Sequence, residues 1–153
     1  MTEDEAKVWI AEQFNVSRET WERLDAFVTF LKAEASQQNL ISASTLEHIW
    51  ARHIADSAQL LLSAPAGTGN WIDLGSGAGF PGIVIALLSD WQVTLVESRA
   101  KRIDYLDRVI RQIGMEGRAT VAGMPVERVE TAKYDVISAR AFAPLPKLLS
   151  LAE

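Results

Sequence analysis

The stretch WIDLGSGAGFPG, Trp71 to Gly82, sets four glycines and one proline directly after a short apolar run. Crowding glycine where a strand gives way to a helix opens the bare backbone to a ligand. The first helical N–H groups lack partners, the helix dipole adds partial positive charge, and a missing Cβ lets a polar group come close. About twenty residues beyond the turn, Glu97 closes a second apolar run, where a carboxylate can accept hydrogen bonds from ribose hydroxyls. This pairing is the chemistry of a mononucleotide-like ligand, although a tight turn with no ligand has the same glycines.

The glycines can be counted in two registers. Gly77, Gly79 and Gly82 match G-x-G-x-x-G, the dinucleotide fingerprint of an NAD-dependent oxidoreductase, but that match starts two residues late relative to the strand end and encloses Pro81. Counting from the strand gives Asp73-Leu74-Gly75-Ser76-Gly77-Ala78-Gly79, which resembles motif I of the class I S-adenosylmethionine-dependent methyltransferases. Both registers stay open at this point, as does a non-catalytic nucleotide-binding module.

These residues need a parallel sheet to position them. After Pro65, short β-branched runs alternate with amphipathic stretches: WIDL then Pro81–Ser89, VTLVE then Arg99–Ile113, ATVAG then a brief turn, and YDVIS then Leu145 onward. Parallel neighbours require crossover connections, so this alternation predicts an α/β sheet wound with helices. Pro81 is expected early in the helix after the turn, with its φ preset, and Gly114 at a helix C-terminus. Before Pro65 the apolar residues recur at helical spacing and predict three helices, the second capped by Ser17 and the third by a capping box of Ser44 and Glu47. Trp9, Trp21, Phe27, Phe30 and Trp50 fall on the apolar faces and are expected in the core rather than on a base-stacking platform. The chain thus divides into a helical region over residues 1–64 and an α/β region over 65–153, forming one compact unit. The leucines of LLSLAE at the end resemble the inner face of an unfinished layer, so we expect a C-terminally shortened chain.

Composition narrows the class. At 153 residues, 48% apolar and 23% charged, the chain suits one soluble domain with a buried core. It has no cysteine, which excludes disulfides and thiolate metal sites, and we expect no metal. The acidic start MTEDEAKVW is unlike a secretory signal, and the longest apolar run, Ile83–Leu88, is too short to span a bilayer, so a cytoplasmic location is expected. A net charge of −5 argues against polynucleotide binding by the whole surface. Arg99, Lys101, Arg102, Arg108 and Arg111 nevertheless gather in one segment, as a local basic patch or a solvated helix face.

Four segments read together are more specific: RHIADS (Arg52–Ser57), DLGSGAGFPG (Asp73–Gly82), VESRAKRIDYL (Val96–Leu106) and DVISARAF (Asp135–Phe142). They resemble the bacterial small-subunit ribosomal RNA guanine-N7 methyltransferase family, from about Asn39 to the C-terminus, with Asn39-Leu40 matching a further family pair. The resemblance implies a class I (Rossmann-like) methyltransferase sheet with N-terminal helices, whose C-terminal strands are missing here. It also implies S-adenosyl-L-methionine as donor and N7 of a guanine in 16S ribosomal RNA as acceptor, in a ribosomal particle, with no membrane partner. Carried over by position, Asp73, Gly75, Ser76, Gly77, Gly79 and Phe80 line the cofactor pocket with Glu97 and Ser98. Val126 and Glu127 meet the adenine side, and Arg140 sits at the reacting end, binding the cofactor's methionine carboxylate or positioning the guanine. Asn39, Arg52, His53 and Asp56 are weaker candidates on the substrate side; from sequence alone, Arg52 and Asp56 at i,i+4 make a simple helical ion pair. Pro125 stands where the family often has arginine. Because guanine N7 carries a lone pair and no proton, no general base is expected.

Overall fold

The computed structural model describes residues 1–65 and 68–139. Arg140 and the leucine-rich segment after it therefore lie outside the described residues. The first helix, α1 (Glu3–Gln13), opens with a capping box in which Thr2 and Glu5 bond each other's backbone amides, and these bonds hold the Glu5 carboxyl below its ordinary value. The second, α2 (Arg18–Glu34), is capped as expected: the Ser17 hydroxyl accepts from the Thr20 amide at 3.1 Å.

The third helix starts differently from its local pattern. No side chain of Ser44 or Thr45 caps it, and the hydroxyls of Ser42, Ser44 and Thr45 bond one another instead. A 3-10 turn (Leu46–His48) and a π turn (Trp50–Ile54) lead into α3 (Ala55–Ser63). The capping carboxylate comes from Glu3 of α1, which accepts from the amides of Trp50 at 3.0 Å and Ala51 at 2.8 Å. Because the π turn alters the helical spacing, Arg52 and Asp56 do not form the expected i,i+4 pair among the described residues.

Four parallel strands, β1 (Asn70–Leu74), β2 (Gln92–Glu97), β3 (Ala119–Gly123) and β4 (Val136–Ala139), pair in the order β3-β2-β1-β4. The order reverses at β1, with β2 on one side of it and β4 on the other, and such a switch point is where ligands bind in open α/β sheets. Side-chain alternation assigns each strand's faces. Trp71, Val93 and Leu95 join the main core with α2, α4 (Gly82–Leu88) and α5 (Ala100–Gln112). Ile72, Leu74 and Val96 form a smaller cluster on the other face with Val126, Val129 and Ile137. Trp50 and Phe27 are buried, and Trp9, Trp21 and Phe30 pack partly buried against the same core. Pro81 is the residue before the first turn of α4 rather than inside it. Gly114, at φ 71°, ends α5 with amide bonds from Gly114 to Arg111 and Met115 to Ile110, the pattern of a left-handed helix terminus. No helix among the described residues is long and apolar enough to cross a membrane.

One ion pair ties α2 to α5. The Arg108 guanidinium grips both oxygens of Glu34, at 3.1 and 2.7 Å, and also meets Asp104 at 2.8 Å. Arg108 holds the Glu34 carboxyl below its usual range. The pair's stabilisation is therefore complete above the unfolded carboxylate value, about 4.3, and fades as pH falls from there through the lower folded value. We predict that Glu34→Gln costs roughly 1 kcal/mol at neutral pH, a partly exposed pair being worth little more. That corresponds to a melting-point drop of about 2–4 °C, shrinking in melts at about pH 3.5.

Candidate cofactor site

The end of β1 is stitched to the end of β2. Gly75 and Ser76 both donate their amides to the Val96 carbonyl at 2.9 Å, and Gly77 donates to Glu97 Oε1 at 2.9 Å. Gly75 and Gly77 adopt φ of 72° and 54°, which turns these N–H groups back toward β2 and which a side chain would resist. Glu97 Oε2 accepts from the amides of Ser98 at 3.1 Å and Arg99 at 3.0 Å. Three amides thus fix a carboxylate that is 6% exposed. An ionised carboxyl has about four acceptor directions, so Oε1 keeps capacity for one further donor. A Cβ built on Gly77 would meet nothing nearer than the Gly75 carbonyl at 4.0 Å, leaving room beside the turn. A fixed acceptor next to open backbone fits the hydroxyl of a nucleoside ribose and repels a phosphate.

Beneath the turn sits a second carboxylate. Asp73 is fully buried; its Oδ2 accepts from the Gly82 amide at 3.2 Å and its Oδ1 from the Ser138 hydroxyl at 2.9 Å. Ser138 is its register neighbour on β4 and in turn accepts from the Trp71 indole N–H at 2.9 Å. This geometry separates the two glycine registers. A dinucleotide site needs free amides at the start of its helix for the pyrophosphate. Here Pro81 has no N–H, the Gly82 amide is spent on Asp73, and the Asp73 carboxylate already occupies the positive end of α4.

The remaining predicted residues occupy different environments. Ser76 is buried, its hydroxyl donating to the Asp73 carbonyl at 3.1 Å, and Gly79, at φ 106°, packs on Ile83 and Phe27. Phe80 is 5% exposed, lying between Phe27, at 5.3 Å, and the His53 ring, stacked at 4.9 Å and 19°. His53 Nε2 meets the Thr45 hydroxyl at 3.0 Å. Ser98 is exposed at the rim. Val126 and Glu127 start a 3-10 turn (Val126–Arg128) held near the β2 end by the Met124 amide bonding the Glu97 carbonyl at 3.0 Å; Val126 is half-buried and Glu127 exposed. Asn39, Arg52 and Asp56 are exposed, and the Asn39 carbonyl is bonded by Arg102 at 3.0 Å. Arg140 is outside the described residues.

Two supporting residues were not evident from the sequence pattern. Ser138 is one, and Tyr105 the other: its hydroxyl donates to the Ala78 carbonyl at 2.8 Å, pinning α5 to the turn. Burial pushes the Tyr105 phenol far above its usual value, so it stays a neutral donor.

Fold and turn together define a class I S-adenosylmethionine-dependent methyltransferase domain. Two solved structures share the architecture. One is a protein of Methanococcus maripaludis described as an S-adenosyl-L-methionine-dependent methyltransferase, at TM-score 0.62 and 19% identity over 80% of this chain and 57% of that one. The other is a protein-L-isoaspartate O-methyltransferase, at TM-score 0.55 and 14% identity over 90% and 47%. The chain belongs to the rRNA small subunit methyltransferase G family, whose sequence profile matches residues 20–153, starting upstream of Asn39. Relatives named ribosomal RNA small subunit methyltransferase G are 49% identical in Zymomonas mobilis and 53% identical in Rhizorhabdus wittichii. Each alignment covers 99% of this chain and 72% or 70% of the relative.

Proposed function

We propose that the chain binds S-adenosyl-L-methionine at the Gly75–Gly79 turn and serves transfer of its methyl group to N7 of a guanine in 16S ribosomal RNA. The observation that carries the site assignment is Glu97, fixed by three amides with acceptor capacity left over beside open backbone. Bound there, S-adenosylmethionine supplies an electrophilic methyl group, and the acceptor nitrogen has no proton to lose. The protein's task is therefore alignment, which in well-oriented reactions is worth roughly 7–11 kcal/mol.

On this reading the residues divide the work as follows. Glu97 Oε1 accepts a ribose hydroxyl, and the backbone from Gly75 to Gly79 faces the amino-acid portion. Ser98 and the Val126-Glu127 turn border the adenine side. Asp73, Ser76 and Phe80 act from below as supports, Asp73 by locking the start of α4 and Phe80 by stacking on His53. Asn39, Arg52 and Asp56 belong to the substrate side, and the positioning role of Arg140 rests on the family resemblance. On this reading the protein works in the cytoplasm, on ribosomal RNA within a ribosomal particle.

S-adenosylhomocysteine at about a hundredfold excess over its Kd stabilises the fold by about 2.7 kcal/mol, raising the melting temperature by roughly 5–11 °C, and NAD has no effect. A shift with NAD alone would restore the oxidoreductase reading. Incubation with methyl-labelled donor and unmethylated small ribosomal subunits yields N7-methylguanine; donor binding without any transfer leaves the binding-module reading instead.

A further inference from the structure

The basic residues of the α5 segment do not share one environment. Arg108 is committed to Glu34 and Asp104. Arg99, Lys101 and Arg102 instead line a cavity of about 320 Å³ together with Gln38, Asn39 and Ala100. No acidic residue lines it, in a chain of net charge −5, and neither Arg99 nor Lys101 makes an ion pair among the described residues. The neighbouring cavity, by contrast, is lined by Glu34 and Asp104 as well as Lys101 and Arg108.

The hollow is built rather than incidental. Two bonds spanning 63 residues of sequence clamp the loop after α2 to the start of α5: Gln38 Nε2 donates to the Lys101 carbonyl at 3.1 Å, and Arg102 Nη2 to the Asn39 carbonyl at 3.0 Å. This clamp leaves the Asn39 side chain exposed at the rim beside the exposed Arg99 and Lys101. Cations at the start of a helix also oppose its dipole, a local cost that the fold retains. Arg99 lies two residues past Glu97, whose carboxylate its own amide helps to hold. The hollow therefore opens on the same end of the sheet as the methyl-donor turn.

We propose that this hollow grips the phosphodiester backbone of the substrate RNA, with Arg99 and Lys101 pairing to phosphates and Asn39 hydrogen-bonding a sugar or base edge, so that the target guanine is delivered to the turn. The proposal rests on the methyltransferase reading above. The Arg102–Asn39 clamp sets the width of the grip; Arg99 and Lys101 supply its charge.

Titration of fluorescently labelled 16S ribosomal RNA across a salt series tests it, on the whole chain carrying S-adenosylhomocysteine. Each phosphate contact on a single strand contributes about 0.7 to the slope of log K against log salt, so Arg99→Gln with Lys101→Gln flattens the slope by about 1.4. The double variant raises the KM for small ribosomal subunits at least tenfold, and Lys32→Gln, an exposed charge on α2, leaves slope and KM alone. Calorimetry with S-adenosylhomocysteine gives the same affinity before and after the double substitution. An unchanged slope with intact cofactor binding overturns the RNA grip. A loss of cofactor affinity in the double variant also overturns it, by assigning these residues to the donor site. Failure of the parent chain to bind S-adenosylhomocysteine at all contradicts the methyltransferase reading rather than the hollow.

Discussion

Glu97→Gln lowers the affinity for S-adenosylhomocysteine about a hundredfold or more. The reason lies in the donor count. Three amides, from Gly77, Ser98 and Arg99, aim at the two oxygens of Glu97. An amide side chain has one oxygen. If that oxygen takes the Ser98 and Arg99 amides, the NH2 group faces the Gly77 amide and meets the ribose hydroxyl where an acceptor is required. The lost hydrogen bond to a charged group is worth roughly 1.5–3 kcal/mol, and the unpaired Gly77 donor adds a similar amount. Together they exceed the ~2.7 kcal/mol that separates two decades of affinity. Calorimetry on parent and variant reads the difference. Glu97→Asp keeps the charge but shortens the reach, and it falls between the two. An unaltered Kd in Glu97→Gln would remove the ribose contact from the account.

Gly82→Ala destabilises the fold by roughly 3 kcal/mol. A Cβ at this position collides with the buried Leu95 side chain and comes within 2.9 Å of Asp73 Oδ2 and 3.2 Å of Asp73 Cβ. Neither neighbour can retreat: Leu95 is fully buried in the core, and Asp73 is held by Ser138 at 2.9 Å. Overpacking of this kind costs about 1–3 kcal/mol, and a weakened Gly82–Asp73 bond adds to it, while the better helix propensity of alanine returns about 1 kcal/mol. The melting temperature falls by roughly 6–12 °C. Saturating S-adenosylhomocysteine recovers part of the loss, because Gly82 supports the turn rather than touching the ligand.

What the sequence discloses depends on how far apart the interacting groups lie along it. The strands and α5 with its Gly114 terminus are local patterns and were legible, whereas the two glycine registers stayed open until the Gly82 amide was seen to bond Asp73. The place of Glu97 beside the glycine turn was legible too, since the end of β2 must lie beside the end of β1 in a parallel sheet. The start of the third helix was not legible. Ser44 and Glu47 have capping-box spacing, but the amides of Trp50 and Ala51 are satisfied by Glu3, 47 and 48 residues away, and no local pattern carries that information. Asp73 illustrates the same limit. Its place in the motif marked it as a cofactor residue, whereas the strand alternation that buries Trp71 turns Asp73 toward α4 and Ser138. The stack of His53 on Phe80 joins two quoted segments whose proximity nothing in either one announces. The basic cluster of α5 divided only once Glu34 was seen to claim Arg108.

A crystal structure of the chain with S-adenosylhomocysteine tests the central assignment most directly. The account predicts a ribose hydroxyl within about 3 Å of Glu97 Oε1, as hydrogen bonding requires, with the three amide bonds to the carboxylate intact and the amino-acid tail along Gly75–Gly79. An adenosyl group bound elsewhere, with Glu97 touching only its own backbone amides, would contradict it.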